Sequence, residues 1–397
     1  MTYRDETPED TNWDVLVIGA GPAGSLAARE IANGGARVLL VERRAFPRWK
    51  VCGACLNGRG LAVLHDVGLG DLTTKLGAVP LKTFDLRHRG RSVRLNLPAG
   101  VAISRSSLDS ALMDEARNAG VSVIDETVAT VLPAESDRRR VRLTRQGHST
   151  ITSAQVVIVA AGLGQHCVED TPELNAQPVA GSRMGAGCVI DDPIDGYEPG
   201  TLGMAVGRHG YVGMVRVEDG RLNVAAAFER DWLRSMGTPG TAAASILKEA
   251  GFPGLSAIEN ATWQGTVGLT RRTRVAGSHR LLLVGDAIGY VEPFTGEGMA
   301  WGLAAGRAVA PLALKGVGRW ESSFPNEWTL LHNQINGTRQ RVCRVVAGIL
   351  RRPLLSRLAF SMLLRSPSLA RPFLSHLNHA SLTRSNRFDS LTTTGIE

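Results

Sequence analysis

The segment Gly19-Ala20-Gly21-Pro22-Ala23-Gly24 directly follows the apolar run Val15-Leu16-Val17-Ile18, and that order narrows the possible folds more than any other feature. The run reads as a short buried parallel strand, and residues 25–32 read as the helix after it. Gly19 permits the tight turn, Gly21 lets the backbone approach a pyrophosphate, and Gly24 allows close helix–strand packing, with Pro22 and Ala23 between them. The first amides of the helix and its dipole then face the phosphates. A second strand, Val38-Leu39-Leu40-Val41, ends in Glu42, about 20 residues beyond the glycines, where a ribose hydroxyl needs an acceptor. Strand, glycines, helix, strand and acid in register predict a dinucleotide site. The competing reading is a glycine-rich turn that binds nothing.

The chain of 397 residues is long enough for two domains or one large composite. Hydrophobic residues make up 43% and charged residues 21%, so a sizeable core can be buried. No uncharged apolar stretch of about 18 residues predicts a membrane span. The first dozen residues are polar and acidic and do not resemble a secretory signal, so the expected location is cytoplasmic. The net charge of +8 is carried almost wholly by Arg. Such a surface attracts nucleic acid, anionic lipid or phosphorylated ligands. No nucleic-acid motif accompanies it, so a dinucleotide and a membrane surface are the expected partners. Five cysteines do not form a disulfide framework; Cys167, Cys188 and Cys343 read as buried thiols. The oligomeric state is not legible.

Residues 43–60 are rich in Arg and Gly, lack periodicity, and read as a loop feeding a helix from about Gly58. Residues 81–97 alternate around Arg89-Gly90 and predict a β-hairpin. The segment Ile103-Ser104-Arg105-Ser106-Ser107-Leu108-Asp109 is expected to start a helix that runs to Asn118, capped by Ser106 or Ser107. Residues 121–124 read as a parallel strand, 128–132 and 139–144 as antiparallel strands, and 156–162 as a buried strand ending in small residues at Gly162. From about 183 to 266 the pattern becomes alternating strands. The nucleotide-type pattern resumes at Leu281-Leu282-Leu283-Val284-Gly285-Asp286. The expected division is a cofactor domain over 1–180 and 271–322, a sheet-rich substrate domain over 181–270 joined by the 81–97 hairpin, and a helical region over 323–397.

An apolar strand thus delivers Asp286 at its carboxyl end, where open α/β sheets bind ligands. A carboxylate there can accept a hydrogen bond from a ribityl hydroxyl. Pro293, Gly296, Gly298 and Met299 lead into a helix whose free amides can stabilise negative charge on a reduced flavin. The alternative is a capped turn with Asp286 as a helix-terminal acid. Arg105 is a further candidate, a cation at a helix start where a pyrophosphate can be paired; its alternative is a surface arginine.

On these pieces the chain resembles the flavoprotein hydroxylase superfamily, which has the FAD-dependent monooxygenase fold. Within it the chain is similar to the geranylgeranyl-reductase and flavin-dependent halogenase-like branch. The resemblance spans about residues 13–320 and rests on DVLVIGAGPAG, VERRAFPRWKVCGACL, ISRSSLD, VVIVAAG and GDAIGYVEPFTGEGM. It implies an α/β fold: a Rossmann-like FAD-binding domain of glutathione-reductase type, an inserted antiparallel β-sheet substrate domain and C-terminal helices. It implies that Gly19, Gly21, Gly24, Glu42 and Arg43 hold the AMP half of FAD. Arg105 then sits near the pyrophosphate, Gly162 closes the VVIVAAG strand at the cofactor, Asp286 meets the ribityl chain, and Pro293, Gly296, Gly298 and Met299 line the isoalloxazine. NAD(P)H is the implied reductant, bound without a second dinucleotide fold, and no second glycine fingerprint is present. Two departures stand out. The WxWxIP motif of halogenases is missing, and the aromatic-tryptophan-proline signature of prenyl reductases is replaced by Gly210-Tyr211-Val212-Gly213-Met214-Val215.

The loop reads Cys52-Gly53-Ala54-Cys55. No further ligands stand at zinc spacing, so no metal is expected. A redox dithiol facing the flavin competes with two small residues packed near flavin or substrate. Residues 339–373 interleave Leu, Val, Ile and Phe with Arg, as in interfacial helices; a helical layer packed on the domain is the alternative. The leading expectation is an FAD-dependent oxidoreductase, reduced by NAD(P)H, that hydroxylates an apolar or aromatic small molecule. Its rivals are a reductase of isoprenoid double bonds, a disulfide-coupled oxidoreductase through Cys52 and Cys55, and a non-catalytic flavin binder. No obligatory acid or base stands out; Cys52, Cys55, His209 and Tyr211 are the weak candidates. A lipophilic substrate would go with a position peripheral to the inner face of a membrane.

Overall fold

The computed structural model describes residues 12–378 apart from 165, 169–173, 192–195, 255, 293 and 295. Pro293 and the polar tail from Ser381 therefore lie outside the described residues. The central sheet places Asn12–Ile18 between His148–Val159 and Val38–Val41, all parallel, with Leu281–Leu283 and Ser122–Ile124 parallel beyond them. Alternation along the first strand divides two cores. Val15 and Val17 face a helical layer that includes Ala27, Ile31, Val309 and Ala313. Leu16 and Ile18 face the other side with Val131, Val141 and Leu143, from two antiparallel strands added at His148–Val159.

The glycine turn is set by backbone contact. Gly19 has φ +103°, and a Cβ there would lie 2.6 Å from the Ala160 carbonyl oxygen. The helix Pro22–Asn33 packs against Gly298–Gly318, and a Cβ on Gly306 would meet the Ala23 carbonyl oxygen at 2.4 Å. Only glycine allows the two backbones to approach this closely.

A second, seven-stranded sheet combines the Thr83–His88 and Arg91–Asn96 hairpin with five strands between Met184 and Gly268. It is mixed rather than purely antiparallel, because Thr201–Val206 runs parallel to Thr83–His88. The hairpin comes from the first part of the chain, so it joins the inserted sheet at an edge instead of by a tight turn. The region read as strands also contains the helices Arg230–Met236, Pro239–Ala250 and Ser256–Asn260. Thr238 caps the second of these, its hydroxyl accepting from Thr241 N–H, and Pro239 supplies the first turn. Their apolar faces close one side of the sheet over Val212, Val224 and Phe228.

The helix Arg105–Asn118 is capped two or three residues earlier than expected. Ser104, not Ser106 or Ser107, holds extended backbone and accepts from Ser107 N–H at 3.1 Å. Glu218, from the inserted sheet, accepts from Ser104 N–H at 2.8 Å, an interaction across 114 residues that no local pattern reveals. The C-terminal helices Phe324–Leu350, Pro353–Arg365 and Arg371–Asn378 finish the structure. Among the described residues no helix is long and apolar enough to cross a membrane. Gly306→Ala is expected to cost about 1–3 kcal/mol through overpacking in urea unfolding. No loss would mean that the two helices can separate freely.

Candidate functional site

A cleft of about 470 Å³ runs along the carboxyl ends of the central strands, the place where such sheets take ligands. Gly19, Gly21, Pro22, Ala23, Glu42, Arg43, Arg105, Gly162, Asp286, Gly296, Gly298 and Met299 all line it. Gly24 does not. A Cβ there would overlap the Gly19 carbonyl oxygen at 1.9 Å, so its part is to close the turn.

Glu42 is buried and ties the turn together. Its carboxylate accepts from Ala20 N–H at 3.0 Å and Arg44 N–H at 3.2 Å, and pairs with Arg48 at 3.3 Å. Arg43 is exposed at the rim. Arg105 makes a bidentate bond to Asp109, at 2.8 and 2.7 Å, and Arg48 reaches the same carboxylate at 3.1 Å. Burial works against the Arg105 charge, but Asp109 outweighs it and holds the guanidinium above the ordinary arginine range. Both guanidinium groups face Gly21: a Cβ there would stand 3.5 Å from Arg105 and 3.8 Å from Arg48. Helix N-terminus, bare glycine and paired cations together make a seat for a diphosphate.

Further along, burial raises the Asp286 carboxyl, while Lys50 and Arg105 oppose that shift. Gly296 has φ +73° and its missing Cβ would lie 3.1 Å from Cys55 Cβ; Gly298 is close to Tyr290 Oη. Glu297 precedes the helix Gly298–Gly318 but does not cap it. Its carboxylate turns into the protein, 3.3 Å from Cys343 Sγ and 3.7 Å from Arg339. No side chain caps the helix, whose first amides have no intrahelical partner.

Cys52 and Cys55 are free thiols. Cys55 donates to the Gly53 carbonyl at 3.1 Å, and burial, with Cys52 nearby, pushes its thiol well above the ordinary range. That is the reverse of what an attacking thiolate requires. Tyr211 lines the cleft, edge-on to Phe294 at 5.2 Å, and burial keeps its hydroxyl protonated. His209 is not among the cleft-lining residues; it pairs with Glu229 at 2.8 Å and stacks on Trp232. Arg48 and Lys50 were missed in the sequence. Their loop shows no periodicity, and composition alone does not tell which of its cations turn inward.

A second cavity of about 480 Å³ adjoins the first and shares Cys55, Leu202 and Phe294 with it. Leucine, phenylalanine and other apolar side chains from the second sheet and the C-terminal helices form nearly all of its wall; Asn57, His88 and Ser356 are its polar members.

FAD fits these residues: the carboxylate at the end of the second strand, the seat at Gly21, the buried Asp286 and the glycine-bounded far end follow one another along one cleft. Residues 12–189 match the FAD binding domain family. A menaquinone reductase of Mycobacterium tuberculosis (strain CDC 1551 / Oshkosh) is 28% identical over 76% of this chain and 77% of its own length. A digeranylgeranylglycerophospholipid reductase of Methanosphaerula palustris is 29% identical over 79% of each. The solved p-nitrophenol 4-monooxygenase PnpA from Pseudomonas putida DLL-E4 shares the fold, with a TM-score of 0.74, 16% identity, and coverage of 93% of this chain and 99% of that one. Solved flavin-dependent halogenases share it too. Residues 12–189 therefore carry an FAD binding domain, and reductases and monooxygenases are among the proteins that the chain resembles. Gly21→Val is expected to weaken FAD binding at least tenfold, about 1.4 kcal/mol, with far-UV circular dichroism of the flavin-free protein unchanged. Undiminished binding would remove Gly21 from the seat.

Proposed function

We propose that this chain reduces carbon–carbon double bonds in an isoprenoid lipid, with FAD as its redox group and NAD(P)H as its electron source. The observation that carries the reading is the apolar second cavity joined to the cofactor cleft at Cys55, Leu202 and Phe294. A small aromatic substrate has no use for such an annex. A prenyl tail does, because each buried methylene contributes about 0.8 kcal/mol. The names of the two relatives support reduction, one of a quinone and one of a geranylgeranyl lipid. Reduction therefore takes precedence over the hydroxylation expected first.

When bound and reduced, FAD supplies the hydride. The residues of the chain do the rest. Gly19, Gly21, Glu42, Arg48 and Arg105 hold the nucleotide half, and Asp286 orients the ribityl chain. Gly296, Gly298 and Met299 let the ring approach backbone amides whose dipole favours negative charge. Leu202 and Phe294 exclude water at the junction, while Cys55 Sγ and Tyr211 Oη are protonated groups beside it. The exposed Val345, Leu354, Leu358 and Met362 lie among Arg341, Arg352, Arg357 and Arg365, a surface suited to the interface of an anionic bilayer.

Under nitrogen, holoprotein reduced with NADH or NADPH is expected to be reoxidised by a geranylgeranyl lipid. Reoxidation only after air is admitted, with oxygen incorporated into substrate, would replace this reading with hydroxylation. Leu202→Trp is expected to lower turnover of a long prenyl substrate at least tenfold and leave NAD(P)H-dependent flavin reduction intact. Equal turnover would disconnect the second cavity from the substrate path. Flotation with anionic vesicles at low salt should recover the protein with the lipid, and replacing Leu354 and Leu358 by Asp should release it.

A further inference from the structure

The second cavity has two ends. Its inner end meets the cofactor cleft at Cys55, Leu202 and Phe294. Its wall is buried or half-buried except at Ala99, Met362 and Leu369, which are exposed, the last two by 50% and 58%. Ala99 follows the strand Arg91–Asn96, Met362 lies near the end of the helix Pro353–Arg365, and Leu369 belongs to the turn Pro367–Ala370. Strand, helix and turn pack against one another. Side chains that line a cavity and are also exposed mark where it reaches the surface, so these three residues bound an outer opening.

The surface around that opening is apolar and cationic at once. Leu354, Leu358 and Met362 recur every four residues and form one exposed stripe along the helix, ending at the opening. Arg352, Arg357, Arg365 and Arg371 flank it, all exposed, and among the described residues no carboxylate pairs with any of them. The sequence holds no Asp or Glu between Glu327 and Asp389. An exposed apolar stripe marks a contact surface, and unpaired arginines beside it call for anions. A bilayer containing anionic lipid meets both demands, its chains taking the leucines and its phosphates the guanidinium groups. A flat protein partner would leave the apolar cavity of about 480 Å³ behind the stripe unfilled.

We infer that a lipid chain passes from an anionic bilayer into the second cavity through the opening at Ala99, Met362 and Leu369. It then meets the cofactor cleft from that side without crossing water. The inference rests on the isoprenoid-reductase reading for the identity of the chain, while the route itself needs no redox step. The cofactor cleft keeps its own rim, bordered by the exposed Arg43 and Arg44, so lipid and nucleotide have separate entries.

The test uses the full-length protein and vesicles of phosphatidylglycerol and phosphatidylcholine that carry a phospholipid with a diazirine at the end of one chain. Labelled residues are mapped by mass spectrometry after illumination. Wild type should be labelled inside the cavity, at Phe360 or Leu374, and on the stripe, at Leu354 or Leu358. Met362→Trp combined with Leu369→Trp should lower cavity labelling at least tenfold and leave stripe labelling and vesicle flotation unchanged. Met362→Ala combined with Leu369→Ala should keep both labels. If the double tryptophan variant does not fold, Leu369→Trp alone carries the test. Vesicles of phosphatidylcholine alone should give neither label at low salt. Wild type labelled only on the stripe, or nowhere, would overturn the route, and so would undiminished cavity labelling in the tryptophan variant or equal labelling from neutral vesicles. Cavity labelling without reoxidation of the reduced holoprotein by a geranylgeranyl lipid keeps the route and removes the reductase. Reoxidation by the detergent-dispersed lipid without cavity labelling does the reverse.

Discussion

The cleft depends on one carboxylate, Asp109. It is fully buried, accepts both donors of a bidentate Arg105 and reaches Arg48 on a loop that is otherwise irregular. Breaking such a buried pair from one side costs about 3–5 kcal/mol, because a charge is left unpaired in a poor solvent. The arrangement also aims both guanidinium groups at Gly21 before any ligand arrives. Rotamer entropy of the long side chains is lost during folding and not during binding, which is how preorganisation raises affinity. Glu42 extends the same device, fastening Arg48 from the second strand while its other contacts brace the glycine turn.

Backbone contact sets the rest of the frame. Gly19 lies on Ala160, Gly24 on Gly19, and Gly306 on Ala23, each too close for a side chain. These approaches place the amino end of the first helix beside the beginning of the long helix Gly298–Gly318. Two helix N-termini therefore serve one cleft, the first beside the diphosphate seat and the second at the glycine-bounded far end. The two dipoles can act on different parts of one elongated ligand, although the residues that supply them lie far apart in sequence.

What could be read from the sequence was what local chemistry dictates. Strand, glycine turn and helix at residues 15–32 follow from hydrophobic pattern and φ preference, and so does the hairpin about Arg89-Gly90. Asp286 was legible because a strand end is a position in topology as well as in sequence. Features set by distant partners were not legible. Ser104 becomes the cap partly because Glu218 reaches it from another sheet. Arg48 and Lys50 turn inward while Arg43 remains at the rim, a choice made by Glu42, Asp109 and the space above Gly162. The parallel joint between Thr83–His88 and Thr201–Val206 depends on two segments more than 100 residues apart meeting at an edge. The helices after Phe228 were overlooked although Thr238-Pro239 is a helix start by local rules; alternation on either side of them hid the change of period.

The C-terminal helices belong to the site and are not an appended anchor. Glu292 and Glu297 bracket the far-end loop, and both carboxylates are fully buried. Arg351 reaches Glu292 at 2.9 Å, alongside Arg183 from the second sheet, and Arg339 lies 3.7 Å from Glu297. Arg339 and Arg351 come from the end of the chain, and both anions from the loop that bounds the cofactor cleft. Losing the helices would leave both buried carboxylates short of positive charge. Those same helices wall the second cavity with Val346, Leu350 and Phe360 and display Val345 and Leu354 outward. The outward apolar surface, the second cavity and the loop that bounds the cofactor cleft are thereby joined through ion pairs in low dielectric, where they are strongest.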